Sequence, residues 1–231
     1  MILGSICCRG GSKGVPKKNI RLLDGKHLIE YTIDTASNSL LLDDTVISTD
    51  NYEISQIAKS VGGNVPFMRP EHLASDSANK WDVFRHVVET YEALSGDYVD
   101  YLVDMDVTVP LKTHLDIDGI IQFALDHPDA DVVITAYESE RNPYFNMMEM
   151  GEEGYAQIVK KSKTAIVRRQ DAKEVLSLSP AAYVIKRESL YKVDHWSNAN
   201  CLLYKIPRKR AIDIDTEFDF RLVEMLIKDD K

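Results

Sequence analysis

Apolar and polar positions along the chain alternate between two periods. Met1 to Cys8 is an apolar run of the length and composition of a strand buried in a parallel sheet. His27 to Ser37 then shows helical spacing at Leu28, Tyr31, Ile33 and Ala36, and Thr45 to Ser48 reads as a short strand. Tyr52 to Val61 is a second helix, ended by Gly62-Gly63, and Val65 to Met68 a third strand. Trp81 to Leu94 is amphipathic, with Trp81, Phe84, Val87, Val88, Tyr91 and Leu94 on one side. Strand patterns recur at Tyr98 to Met105 and Val132 to Tyr137, with a helix from about Leu115 to Leu125 between them.

Strands alternating with helices at this spacing imply βαβ crossovers. The expected fold is α/β, a doubly wound and mostly parallel sheet in one domain spanning residues 1–231. From 139 to 178 the pattern changes. Tyr144 to Met150 and Tyr155 to Val159, separated by Gly151-Glu152-Glu153-Gly154, read as a hairpin inserted into the domain. Ala181 to Ile185, Leu202 to Lys205 and Ala211 to Ile214 read as late strands, and Phe218 to Ile227 as a closing helix. The inserted hairpin lies outside the sheet and carries Tyr144, Phe145, Met147, Met148 and Met150, too much apolar surface to bury alone; a homodimer built through it is expected.

Ligands of doubly wound sheets bind at the carboxyl ends of the strands, where the loops at Arg9, Asp50, Arg69 and Asp106 emerge. The first of these loops carries three glycines, Gly10, Gly11 and Gly14, which let backbone come close and permit positive φ. Arg9, Lys13, Lys17 and Lys18 stand among them, and exposed amides beside these cations suit a polyphosphate. No Gly-Lys-Ser/Thr closes a Walker A motif and no G-x-G-x-x-G spacing is present, which argues against a P-loop ATPase and a dinucleotide dehydrogenase.

Composition narrows the partners. With 44% hydrophobic and 28% charged residues the chain is an ordinary globular one. Its formal net charge of -9 disfavours a nucleic-acid partner, and no apolar run approaches a membrane span. The first residues lack the basic flank and cleavage site of a signal peptide, so a cytoplasmic location is expected. Cys7, Cys8 and Cys201 form neither a disulfide framework nor a C-x-x-C metal site. No histidine pair has metal-ligand spacing, and no Ser-His-Asp or Cys-His arrangement can be argued.

The run Arg9-Gly10-Gly11-Ser12-Lys13-Gly14-Val15-Pro16-Lys17-Lys18-Asn19 closely resembles the signature loop of the acylneuraminate cytidylyltransferases, which make CMP-activated nonulosonic acids. Ser48-Thr49-Asp50, Arg69-Pro70-Glu71-His72-Leu73-Ala74-Ser75-Asp76 and Ile212-Asp213-Ile214-Asp215-Thr216-Glu217-Phe218-Asp219 agree with further blocks of that family, in order. The resemblance implies a Rossmann-like sheet of the nucleotide-diphospho-sugar transferase type and cytidylyl transfer from CTP to a 2-keto-3-deoxy sugar acid. It puts Arg9, Ser12 and Lys18 on the triphosphate with amides of Gly10 and Gly11, and Asn19 and Arg69 on the cytidine. Lys18, Arg9 and Asp215 are then the candidate catalytic residues. Arg168 and Arg169, with Gln170 beside them, are candidates for the sugar acid, reached from the insertion of a partner subunit.

If residues 211–214 form a strand, Asp213 and Asp215 project from one face and could hold Mg²⁺, which prefers one or two carboxylates plus phosphate oxygens and water. Asp106 could be a third ligand, or could meet a donor group on the sugar. Rival readings are a CMP-Kdo-type synthetase, a nucleotidylyltransferase for another base, and a nucleotide-binding protein without transferase activity.

Two stretches depart from the sialic acid synthetases. Asp106-Val107-Thr108-Val109-Pro110-Leu111-Lys112 stands where they typically carry Gln-Pro-Thr-Ser-Pro-Leu-Arg, and Ser179-Pro180-Ala181-Ala182-Tyr183 where they usually carry an Asn-Gly pair before small residues and tyrosine. Both changes remove amides from the expected sugar pocket, with Ser179 now at its edge. A sugar acid other than N-acetylneuraminate is therefore expected as acceptor.

Overall fold

The computed structural model describes residues 1–11, 14–162 and 166–229. Along the chain it forms β1 (Ile2–Cys7), a small hairpin of β2 (Leu22–Leu23) and β3 (Lys26–His27), α1 (Leu28–Ser37), β4 (Asp44–Ser48), α2 (Tyr52–Ser60), α3 (Lys80–Ser95) and β5 (Tyr101–Asp104). There follow α4 (His114–Asp126), β6 (Val132–Glu138), the hairpin β7 (Met148–Met150) and β8 (Ala156–Ile158), β9 (Leu176–Lys186), α5 (Arg187–Lys192), β10 (Cys201–Lys205) and α6 (Glu217–Asp229).

The central sheet has the order β10-β6-β9-β5-β1-β4. β1 pairs in parallel with β4 and β5, and β6 in parallel with β10, while β9 lies antiparallel between β5 and β6. The exception has a connective cause. The chain leaves β6 at Glu138 and re-enters the sheet at the same end, with Leu176 paired to Glu138. Without a crossover to the far edge, a returning strand must run backwards.

Helices cover both faces, and neighbouring residues on each strand point to opposite layers. Val103 and Val184 join Ile6, Leu28, Ile29 and Ile117 in one core, whereas Leu102 and Ile185 join Trp81, Phe84 and Val88 in the other. The apolar face of α3 read from the sequence is the buried one, except for Leu94, which is exposed.

Two expected strands do not form. Val65 to Met68 runs beside β4 with a bend at Phe67, and among the described residues its backbone is tied to β4 at the flanks, by Ile47 N to Asn64 O and Arg69 N to Thr49 O. Pro66 within it has no N–H to give a ladder. Ala211 to Ile214 is the end of a 3₁₀ turn (Arg208–Ala211) followed by irregular chain, anchored where Ile214 N donates to Thr108 O. Conversely, the β2–β3 hairpin turns at Asp24 and Gly25, both at positive φ (49° and 83°). That Asp-Gly pair is the sequence signal for a type I′ turn and was open to reading. α5 is too short for periodicity to reveal.

Candidate functional site

At the carboxyl end of β1 the chain passes into the glycine-containing loop, and a cleft of about 420 Å³ opens beside it. Arg9, Gly11, Lys18, Asn19, Arg69, Asp106 and Asp215 line this cleft, so residues from four separate stretches of the sequence meet there. Ser12, like Lys13, lies outside the described residues.

The loop is held by its own side chains. Asn19, buried, donates through Nδ2 to Arg9 O at 2.9 Å, and Gly10 N donates to Asp50 Oδ1 at 3.0 Å. The Gly10 amide is thereby spent on the loop's anchor. The expected positive φ does not fall on Gly10, Gly11 or Gly14 but on Lys17, at 51°. What two of these glycines supply is close approach: a Cβ on Gly10 would lie 2.6 Å from Asn51 Nδ2, and one on Gly14 2.1 Å from the carbonyl oxygen of Asp215.

That second contact docks the loop against the C-terminal acidic segment, and Lys18 does the same. Lys18 Nζ donates to Ile214 O at 2.6 Å and stands 3.5 Å from Asp215 Oδ1. Asp213 lies next to these, with its Oδ1 buried and lacking a hydrogen-bond partner among the described residues. Burial pushes its carboxyl above the ordinary range, and the charges of Asp106 and Asp215 add to this against the Thr108 hydroxyl and Lys18. A buried carboxylate oxygen facing two like charges suits a cation. No strand sets the two aspartates on one face; irregular backbone brings them beside Lys18 instead. No group of three His, Cys, Asp or Glu side chains is arranged to hold a metal by itself among the described residues.

On the opposite wall, Arg9 pairs with Asp76 at 2.8 Å, and Arg69 is fixed by Nε to Ser48 Oγ at 3.0 Å and Nη2 to Ser48 O at 2.5 Å. A buried guanidinium tied along one side presents its remaining edge in a set direction. Asp106 sits after β5, its Oδ1 accepting from the amide and hydroxyl of Thr108 at 3.1 and 3.0 Å.

Other candidates fall elsewhere. Ser179 is fully buried and donates to Ala211 O at 3.1 Å. It stands opposite an irregularity in the β6–β9 pairing, where the Thr135 hydroxyl donates to Ser179 O at 2.7 Å and accepts from Ala182 N. Pro180, without an N–H, fits this gap in the ladder. Arg168, Arg169 and Gln170 are exposed on the insertion and do not line the cleft of this chain. There Arg168 forks onto Asp171 and Arg169 donates to Ser139 O.

Two lysines escaped the sequence reading. Lys80, at the first turn of α3, lines the cleft beside Asp104 and Asp106. It was hidden next to the conspicuous apolar face that begins at Trp81. Lys112 is buried and donates to Thr32 Oγ1, Asp106 O and Val109 O at 2.8, 2.6 and 2.9 Å, pinning the loop that follows β5. Burial pulls it down to about 7 against the carboxylates of Asp106, Asp104, Asp213 and Asp116. The unfolded lysine keeps its proton to about 10.4, so between these values the unfolded state binds more protons and stability rises with pH. Relative to Lys112→Met, wild type should gain about 2 kcal/mol of stability from pH 7.5 to 9.5 in urea melts. A pH-independent difference would refute a depressed lysine.

The comparisons with known proteins agree with this geometry. A family model described as cytidylyltransferase matches residues 5–227. Post-translational flagellin modification protein B of Campylobacter coli is 38% identical, over 99% of this chain and 95% of that protein. CMP-N,N'-diacetyllegionaminic acid synthase of Campylobacter jejuni is 37% identical over 98% of this chain and 94% of its own length. Among solved structures, a CMP:2-keto-3-deoxy-manno-octonic acid synthetase complexed with CTP superposes with a TM-score of 0.74 at 15% identity, covering 100% of this chain and 99% of that one, a likeness of fold. With the signature loop, the Arg69 segment and the acidic motif meeting in one cleft, and relatives matched over nearly their whole length, this chain belongs to the cytidylyltransferase family.

Proposed function

We propose that the chain joins CTP to the anomeric hydroxyl of a 2-keto-3-deoxy sugar acid of the nonulosonate class and releases pyrophosphate. The observation that carries this reading is the junction at Lys18, where the candidate phosphate loop and the acidic segment are bound together on the wall of a cleft also lined by Arg9 and Arg69. In the reaction the hydroxyl oxygen forms a bond to the α-phosphorus as the bond to the pyrophosphate oxygen breaks, and the hydroxyl proton passes to solvent. Negative charge grows on the leaving group, so fixed cations there act mainly on the transition state. Lys18 and Arg9 have that role, and the partly tied Arg69 and Asn19 hold the nucleoside end.

Asp213 and Asp215 are the residues that would hold Mg²⁺, and the orphaned Asp213 oxygen supports this. Bound there together with phosphate oxygens, the ion would offset charge on the triphosphate. Asp106 is already engaged by Thr108 and Lys80, and in this reading it faces the acceptor rather than the metal.

The test is pyrophosphate release with CTP across a panel of sugar acids. The similarity to a CMP-N,N'-diacetyllegionaminic acid synthase and the two departures from the sialic acid pattern support an acceptor other than N-acetylneuraminate. A legionaminic-type or Kdo-type acid should show the highest kcat/KM. N-acetylneuraminate exceeding every other acid would refute the choice of acceptor, and no release with any acid would refute the function.

The same reading makes the enzyme a homodimer in the cytoplasm. Three free cysteines are compatible with a reducing compartment. Met147, Met148, Met150, Tyr155 and Val159 of the insertion are exposed, an apolar surface that a second copy would cover. A partner's insertion would then bring Arg168 and Arg169 towards a cleft they do not reach in their own subunit. Light scattering at micromolar concentration should give twice the chain mass, and Met148→Glu with Met150→Glu should give the monomer. A monomeric wild type would refute the dimer.

A further inference from the structure

Lys80 opens α3, whose cap is Asn79, the amide oxygen accepting from Trp81 N. Its ammonium lies 3.0 Å from Asp104 Oδ2, 3.4 Å from Asp106 Oδ2 and 4.5 Å from the centre of the Tyr183 ring. Its one directed hydrogen bond goes to Asp106 Oδ2, with the Asp104 carboxylate and the Tyr183 ring face packed around the rest of the ammonium. Lys80 is thus committed to the cleft wall although its side chain is 38% exposed. Burial disfavours its charge, but Asp104 and Asp106 outweigh this and hold it above the ordinary lysine range.

The two carboxylates differ. Asp104, at 1% exposure, accepts at Oδ1 from the Ser5 hydroxyl at 2.9 Å, and among the described residues its Oδ2 makes no well-directed hydrogen bond and has Lys80 beside it. Asp106 has both Thr108 donors on Oδ1, whereas its Oδ2 has, among the described residues, Lys80 alone, and the side chain remains 25% exposed at the cleft. A carboxylate oxygen accepts two hydrogen bonds, so Asp106 Oδ2 keeps one direction open. Burial disfavours its charge, yet Lys80 and Thr108 bring its carboxyl below the usual range, so it accepts and does not donate.

Two carboxylates against Lys80, with the buried Lys112 behind Asp106 brought down to about 7, leave this wall net negative above neutral pH. It repels the acceptor's own carboxylate and the triphosphate, and suits a neutral donor. Asp106 also lies beside the reacting end of the cleft, because Thr108 O receives Ile214 N from the acidic segment. We propose that Lys80 is a positioning residue that holds the Asp106 carboxylate as the acceptor for a neutral donor, a hydroxyl or amide N–H, on the sugar acid. The inference rests on the cytidylyl transfer proposed above and adds a determinant of sugar choice.

Steady-state kinetics with CTP and the best acid of the panel test it, using Lys80→Met, Lys80→Arg, Asp106→Ala and the Lys80→Met/Asp106→Ala double variant. Asp106→Ala and Lys80→Met should each raise KM for the sugar acid roughly tenfold or more, with KM for CTP within about threefold of wild type. The double variant should be no worse than Asp106→Ala by more than about twofold, since a residue acting through another adds nothing once that one is gone. Lys80→Arg should recover most of the loss. Should Lys80→Met fail to fold with Asp104 left unpaired, the same comparison is made in Asp104→Asn, where that buried charge is absent. Equal rises in both KM values, multiplicative losses in the double variant, or an unshifted KM for the sugar acid in an active enzyme overturn this inference alone. A wild type that turns over no sugar acid with CTP overturns it together with the proposed function.

Discussion

Lys18→Ala lowers turnover by at least ~100-fold while the melting temperature stays within a few degrees of wild type. The side chain is 15% exposed and its ammonium reaches Ile214 O and Asp215 from a 3₁₀ turn at the end of the glycine loop. It contributes little apolar packing to either core, so the fold should survive its loss. A cation facing the departing pyrophosphate stabilises charge that exists mainly in the transition state, so the loss should fall on kcat more than on KM for CTP. Asp215→Ala should behave alike, because its side chain is 74% exposed and meets Lys18 at the cleft without packing in either core. Kinetics of pyrophosphate release with parallel thermal melts decide the matter. Near-wild-type activity in either variant, at unchanged melting temperature, would refute the assignment of these residues.

Gly14→Ala should cost a comparable ~100-fold, through geometry instead of charge. The added methyl would lie 2.1 Å from the carbonyl oxygen of Asp215, a backbone atom that no rotamer change can move. Either the loop or the acidic segment must withdraw, and Lys18, which bridges the two, loses its register with both. A shift of about 1 Å at a reacting centre is enough for an effect of this size. Both kcat and KM for CTP should change, unlike in Lys18→Ala. A Gly14→Ala enzyme within about threefold of wild type would mean that the loop and the acidic segment need not touch.

Much of the fold was legible because burial imposes periodicity. Both faces of the sheet are covered, so β1 is a continuous apolar run, and α3 has one face in the core, so Trp81, Phe84, Val87, Val88 and Tyr91 repeat at helical spacing. The misses have local causes. Val65 to Met68 has a strand's composition, but Pro66 and backbone ties to β4 at the flanks leave no ladder among the described residues. Ala211 to Ile214 alternates like a strand and ends up bonding to the loop after β5 through Ile214 N.

The sequence by itself determined the architecture of alternating strands and helices, the family, and the segments whose ends build the cleft. These properties reside in local pattern: apolar period, turn residues, and contiguous blocks such as Arg9 to Asn19 and Ile212 to Asp219. Only the tertiary structure decided how single side chains are spent. It turned β9 against its neighbours because the insertion returns to the end of the sheet it left, and buried Ser179 against Ala211. It used the Gly10 amide on Asp50, and set Gly14 and Lys18 against a segment some 200 residues away in the chain. It also gathered Lys80 with Asp104 and Asp106, and buried Lys112 under the loop they border. Hydrogen bonds and ion pairs act over a few ångströms between residues far apart in sequence, so no local window contains both partners.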